Sequence, residues 1–357
     1  MKNNILVISN LYPSTKDPFY GTFVKNFVDD ISKSERIQKV DICVIKGRSY
    51  HLYTKIWKYL IFYLNIIHRL FFNKYDLVYV HIITHAALPL RFVSTFKKLP
   101  LIFNIHGEDL LTQTKLASKF LQLATPLLCQ AKLIVVPSVF FQKKVKEVLP
   151  QIPDSKIYVS ASGGVNEVFF NQAEKKINKT PIIGYVSRID RGKGWDTFIS
   201  ALYLLKKKGI EYKAQIIGRG EEILLMEEMI STLKLEEKIK YVGPVEYKKL
   251  PNFYSTFDLF IFPTQLEESL GLVGLEAMAC KAPVIGSNIG GLTDYIENGK
   301  NGYFFQPSDS AELAEKMILY LSLPKEKQQD MKNAAYQTAL KYHANIVSEK
   351  LISKILS

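Results

Sequence analysis

Two glutamates, Glu268 and Glu276, are separated by seven residues in the string PTQLEESLGLVGLEAMA at 263–279. The string follows a continuous apolar run at 259–262 and opens an apolar helical stretch. That order of strand, loop and helix puts Glu268 at the carboxyl end of a strand, where open α/β sheets bind ligands. The amides around Leu270, Gly271 and Leu272 then form a helix N-terminus, which offers unpaired N–H groups to an anion. Glu276 falls about a turn into the helix beside the small Ala277 and Ala279. A carboxylate there offers two acceptors and suits a vicinal diol such as ribose. For one isolated glutamate, a surface acid favoured by the helix dipole is the plainer explanation. The whole string weighs against it.

A second group is cationic. GYVSRIDRGKGWD at 184–196 follows the run 182–186, so Arg188 and Lys193 fall in a strand-to-helix loop. Two fixed cations there can neutralise a diphosphate, Arg through its fork and Lys as a point charge. The loop is not a P-loop, because Lys193 is followed by Gly194 and not by Ser or Thr. Gly218-Arg219-Gly220, after the run 214–217, is a weaker glycine turn that lacks the third glycine of a dinucleotide fingerprint. His81 and His85 stand four apart in HIITH, but no Glu follows His81 as a zinc helix requires. No metal site is expected, and lining of an acceptor pocket is the remaining use for them. No Asp-x-Asp occurs in the chain.

These residues need a scaffold. The chain has 357 residues, more than the 250–300 or so at which a single core stops growing, so two domains are expected. Its 47% hydrophobic and 23% charged residues exclude disorder, collagen and coiled coil. Three scattered cysteines exclude a disulfide scaffold and suit a reducing cytosol. The opening MKNNILVISN is too short in apolar residues for a secretory signal and reads as a first strand.

Apolar runs at 5–9, 40–45, 77–80, 101–104, 133–136 and 157–160 alternate with helical stretches such as 22–32 and 115–129. The pattern restarts at 182–186, 214–217, 239–242, 259–262 and 284–286, with helices at 196–208, 221–233 and 273–280. Continuous apolar strands between helices predict a doubly wound parallel sheet in each half. The polar stretch 174–180 is the expected linker. It divides residues 1–173 from 174–342 and leaves a helix at 343–357 that can lie across either domain, crossing back to the first being one of the two options.

Charge is uneven. Residues 1–173 hold 22 Lys and Arg against 11 Asp and Glu, the remainder 25 against 23. No nucleic-acid reading element accompanies the basic half, and an anionic membrane or acceptor fits it equally. The segment 55–74, KIWKYLIFYLNIIHRLFFNK, is too often interrupted by polar residues to span a bilayer. Two readings stand: a helix lying in the membrane interface, or one buried against the sheet.

The second half resembles the nucleotide-sugar-binding domain of family 4 glycosyltransferases, across about residues 182–310. The resemblance rests on G-x-x-x-R-x-x-x-x-K at 184–193, IIGRG at 216–220, Val242-Gly243, DLFIFP at 258–263, the E-x7-E pair and PVIGSNIGG at 283–291. The first half matches more loosely. Gly21 stands for the early glycine loop, His106-Gly107-Glu108-Asp109 for the His-Gly-x-Asp turn, and SGGVN at 162–166 for the closing segment.

The resemblance implies an α/β chain of GT-B architecture, with two Rossmann-like doubly wound domains facing across a cleft. It implies Arg188 and Lys193 on the diphosphate, Glu276 on ribose, and the backbone near Gly218 and Val242 around the donor. Gly21 would let backbone approach the diphosphate. Glu268 and the amides of Ser269, Leu270, Gly271 and Leu272 would hold the transferred sugar, with His106 and Glu268 as the catalytic candidates. Family members usually have Gly-Phe-Gly after the first glutamate, where this chain has Ser269-Leu270-Gly271.

The expected activity is retaining, metal-independent transfer of a hexose from a UDP- or GDP-linked sugar to a glycan or lipid-linked acceptor. Surface polysaccharide or glycolipid synthesis is the setting. No cofactor and no nucleic-acid partner are expected, and the place is the cytoplasm or the inner face of its membrane. A nucleotide-sugar epimerase, a glycoside hydrolase and a basic nucleic-acid-binding protein are the rivals.

Overall fold

The computed structural model describes all residues except 1, 19, 50, 108–109, 111–114 and 172–177, and the backbone alone of 115–117. The chain divides into two compact units: Met1–Gly163 with Asn345–Ser357, and Gly164–Ala344.

The first unit runs β1 (Asn3–Tyr12), α1 (Thr22–Ser32), β2 (Ile37–Lys46), α2 (Leu52–Phe72), β3 (Leu77–His81), α3 (Ala87–Ser94), β4 (Leu101–Asn104), α4 (Lys115–Gln130), β5 (Leu133–Val136), α5 (Val139–Val148) and β6 (Ile157–Val159). All its strands pair in parallel, in the order β2-β1-β3-β4-β5-β6. Alternate side chains divide the sheet between two cores. Leu6, Ile8, Val78 and Val80 meet Phe62, Ile66 and Leu70 of α2 together with α3, α4 and α5. Ile5, Val7, Leu77 and Tyr79 meet Val24 and Ile31 of α1 on the other face.

The second unit runs β7 (Ile182–Val186), α6 (Trp195–Lys207), β8 (Lys213–Ile217), α7 (Ile223–Thr232), β9 (Ile239–Gly243), α8 (Leu250–Tyr254), β10 (Leu259–Phe262), α9 (Leu272–Ala279), β11 (Val284–Ser287), β12 (Gly302–Phe305), α10 (Ser310–Leu321) and α11 (Lys325–Leu340). Its parallel sheet has the order β12-β11-β10-β7-β8-β9. The last helix, α12 (Ala344–Leu356), places Leu351 and Ile355 in the α1-side core of the first unit.

The unit border at Gly163 precedes the predicted 173. Val165 bridges to His343, and Phe169 packs on Tyr247 and Tyr254, so this stretch already belongs to the second unit. The predicted linker lies partly outside the described residues. Its far end is tied down by Asn178, whose Nδ2 donates to Asp258 Oδ2 at 2.8 Å.

Helix α2 buries one stripe against the sheet and leaves a wide apolar face exposed. Phe62, Ile66 and Leu70 are buried, while Leu52, Tyr53, Ile56, Trp57, Leu60, Ile61, Leu64 and Phe72 are exposed. Lys58 and Arg69 flank the buried stripe: Lys58 Nζ donates to the carbonyl of Lys46 at 2.9 Å, and Arg69 reaches Asp41 at 3.8 Å. The exposed patch continues onto α3 and the turn after it, where Phe92 meets Phe71 edge-on and Phe96 meets it tilted, at 6.5 and 5.9 Å between centroids. No helix among the described residues is long and apolar enough to cross a membrane.

Candidate functional site

Most of the predicted site residues gather at the carboxyl edge of the second sheet. β7 ends in the loop carrying Arg188 and Lys193. The buried Tyr185 pins that loop, its hydroxyl donating to the carbonyls of Arg188 (3.3 Å) and Lys193 (3.2 Å). Arg188 projects into solvent and pairs with Asp190 at 2.9 Å. Lys193 turns inward to Glu268, its Nζ 2.7 Å from Oε1, with the two side chains only 13% and 20% exposed. Thr264 Oγ1 adds a second donor to the same oxygen at 3.1 Å.

The loop holding Glu268 is itself braced. Gly291 N donates to the Glu268 carbonyl at 2.8 Å, and Tyr295 Oη donates to the Gly271 carbonyl at 3.0 Å. Ser269, Leu270 and Gly271 thereby lead into α9 in a fixed path, with Gly271 as its N-cap and Leu272 its first residue. Glu276 sits on α9 and is buried, with Tyr254 Oη donating to its Oε2 at 3.3 Å. Burial raises its carboxyl to about 7, against the opposing pull of the Tyr247 and Tyr254 hydroxyls. It therefore passes from acid to carboxylate near neutral pH.

Gly218 and Val242 come together at the ends of β8 and β9. Gly218 N donates to the Gly243 carbonyl at 3.0 Å, and Tyr241 Oη donates to the Gly218 carbonyl, also at 3.0 Å. Gly218 has φ 145°, and a Cβ there would lie 1.8 Å from the Ser187 carbonyl oxygen. Only glycine lets the β8 turn approach the β7 turn this closely. The short glycine turn is thus a packing requirement of the site.

In the first unit, Gly21 caps α1 with φ 72°, and a Cβ there would lie 2.5 Å from the Leu11 carbonyl carbon. His106 follows β4, and burial lowers its imidazole to about 4. The Glu108 and Asp109 of its turn lie outside the described residues. His81 and His85 are engaged separately: His81 Nδ1 lies 3.0 Å from His106 Nε2, and His85 Nδ1 lies 3.0 Å from Tyr59 Oη.

Sequence reasoning missed Tyr254 and Tyr247 beside Glu276, Asp190 beside Arg188, and the His81–His106 pair. Asp190 stood two residues from Arg188 and was open to view. The tyrosines carry no signal in sequence, since only the packing of α8 and the turn before it on α9 brings them to the carboxylate.

Two family models match the chain: Glycosyltransferase Family 4 over residues 22–163, and Glycosyl transferases group 1 over residues 167–338. Among curated proteins, alpha-D-kanosaminyltransferase of Streptomyces kanamyceticus is 28% identical over 49% of this chain and 45% of its own length. The capsular polysaccharide biosynthesis glycosyltransferase CapM of Staphylococcus aureus is 28% identical over 56% of this chain and 55% of its own. The chain thus spans about half the length of these relatives.

Among solved structures, a glycosyltransferase from Rickettsia africae ESF-5 superposes with a TM-score of 0.78 at 20% identity, over 100% of this chain and 99% of that one. Anabaena Alr3699/HepE in complex with UDP gives 0.76 at 19% identity over 100% of both chains. The two Rossmann-like parallel sheets are those of the GT-B fold. With family models on both units and the E-x7-E loop built at the sheet edge, the chain belongs to glycosyltransferase family 4.

Proposed function

We propose that the protein transfers a hexose, with retention, from a UDP- or GDP-linked sugar to a hydroxyl of a glycan or lipid-linked acceptor, in surface polysaccharide or glycolipid assembly. The observation that carries the reading is the Lys193–Glu268 pair at the carboxyl edge of the second sheet. It holds a cation and a carboxylate side by side at a helix start, the two charges needed for a diphosphate and for sugar hydroxyls. HepE, which shares the fold, has been crystallised with UDP and with UDP-glucose, and this favours a UDP-linked donor.

In this reading Arg188, Lys193 and the amides from Ser269 to Leu272 stabilise the charge developing on the leaving β-phosphate. Glu276 takes the ribose diol, and the turns at Gly218 and Val242 border the rest of the nucleotide. Glu268, bonded to Lys193 and Thr264, orients the sugar hydroxyls. The leaving phosphate accepts the proton of the attacking hydroxyl on the same face of the sugar, which preserves configuration without a protein nucleophile. The two cations perform the charge neutralisation that a divalent metal performs elsewhere. In the first unit, Gly21 and His106 are the residues proposed to meet substrate.

The exposed α2–α3 patch is the docking surface for an anionic membrane. Large apolar side chains are seldom gathered on a free surface without a partner. Here Lys55, Lys74 and Lys98 border them, exposed, which suits acidic headgroups. The protein then works as a peripheral enzyme on the inner face of the membrane, where a lipid-linked acceptor lies.

Thermal-shift measurements against UDP, GDP, ADP and their sugar conjugates test the donor. Stabilisation by a nucleoside diphosphate and its sugar conjugate is expected. Failure of every nucleotide to stabilise the protein would overturn the reading. Conversion of the donor sugar to its epimer without an acceptor would instead make the protein an epimerase.

A further inference from the structure

His81 closes β3 and His106 follows β4, on neighbouring parallel strands whose register sets His81 beside Asn104. The two rings lie 18° from parallel, with His81 Nδ1 3.0 Å from His106 Nε2. Phe23, Phe27 and Tyr79 wall His81, with centroids 5.7, 5.1 and 5.1 Å away, and Phe23 also lies 4.6 Å from His106. Burial and the proximity of His106 lower His81 below the usual imidazole range, and burial lowers His106, so both rings are neutral near pH 7.

A hydrogen bond between two neutral imidazoles needs an N–H on one and a lone pair on the other, so two arrangements exist. If His106 donates from Nε2, His81 must carry its proton on its own Nε2. That atom is buried and has no hydrogen-bond partner among the described residues. An orphaned buried N–H is a rare and costly defect. If His81 donates from Nδ1, its Nε2 is a bare lone pair among aromatic rings and His106 carries its proton on Nδ1.

We infer that His81 is a positioning residue for His106. Its Nδ1–H fixes the His106 ring and selects the Nδ1–H tautomer, so the far side of that ring is a hydrogen-bond donor and not a base. The functional half rests on the reading above that His106 meets substrate. The tautomer does not.

The test uses the full chain labelled with 15N-histidine, with the His106 ring resonances assigned by loss in His106→Gln. In the wild type, His106 should be protonated at Nδ1 and bare at Nε2. His81→Asn, whose amide N–H replaces Nδ1–H, should keep that pattern, and His81→Phe should give a mixture of tautomers. A wild-type His106 protonated at Nε2, or a pattern untouched by His81→Phe, overturns the assignment. The wild-type spectrum decides this even if a variant fails to fold.

UDP-glucose turnover supplies the second readout. His81→Phe should lower kcat about tenfold with KM within about twofold, and His81→Asn should recover most of it. The double variant His81→Phe/His106→Gln should be no slower than His106→Gln alone. Fully additive losses overturn the positioning role. Wild-type turnover in His106→Gln overturns it too, by removing His106 from the substrate, while the NMR pattern still reports the tautomer.

Discussion

Lys193 and Glu268, 75 positions apart in the chain, meet at 2.7 Å because the β7–α6 and β10–α9 loops leave adjacent strands of one sheet. Each neutralises the other, which keeps a mostly buried cation and a mostly buried carboxylate tolerable without ligand. A bound diphosphate would compete with Glu268 for the ammonium. The pair therefore links the proposed phosphate contact to the proposed sugar contact.

Lys193→Ala and Arg188→Ala should each weaken UDP binding by about ten- to hundredfold, the usual loss for a charge-assisted contact. Glu268→Gln should leave UDP affinity within a few-fold and chiefly slow transfer. Isothermal titration calorimetry measures the first effect and product formation the second. Undiminished affinity in both cation variants would remove the diphosphate assignment.

Glu276 predicts a pH-dependent stability. Its carboxyl is raised in the folded chain to about 7 from an ordinary 4.5. Below about pH 4.5 it is protonated, folded or unfolded, and its contribution is fully present. As pH rises through about 7 the folded protein must ionise a buried group, and that contribution is lost. Glu276→Gln, which keeps an acceptor for Tyr254, should be near-neutral at pH 4. At pH 8, without nucleotide, it should be stabilising by up to about 3 kcal/mol. Thermal melts at the two pH values check this, and a variant that melts lower than wild type at pH 8 contradicts it.

Turnover should survive EDTA. The motivation is the Arg188–Lys193 pair together with the lack of any Asp-x-Asp. Activity that is abolished by chelation and restored by magnesium would reverse this expectation.

Membrane docking predicts flotation with anionic vesicles that salt weakens, since each cation near such a surface contributes on the order of 1 kcal/mol. Trp57→Ser, Leu60→Ser and Phe92→Ser should abolish it while the melting temperature holds, because all three side chains are exposed. Phe62, which the sequence offers as readily, is buried, and its replacement would damage the core instead. Flotation no better with anionic than with neutral vesicles at low salt counts against docking.

Much of this arrangement is written in the chain. β4, β5, β7 and β10 appear as uninterrupted apolar runs because helices cover both faces of each sheet. β12, the four residues GYFF at the edge of the second sheet, is short and only partly buried at Tyr303 and Phe304, and goes unseen. α3, with Pro89 inside it, and the polar α11 are hidden too: their burial is set by neighbours and not by a clean period. In the site, the glycines and charged residues announce themselves by type. Tyr254 on Glu276 and His81 on His106 are contacts across elements, which no local spacing encodes.

Helix α12 packs on the first unit although it follows the whole of the second. During synthesis, the sheet face bearing Ile5, Val7 and Tyr79 therefore stays partly bare until some 180 further residues have been made and folded. The first unit emerges before the second and is closed only after it. Its assembly waits on the successful folding of its neighbour, so a lesion in the second unit would register as an unsealed first one.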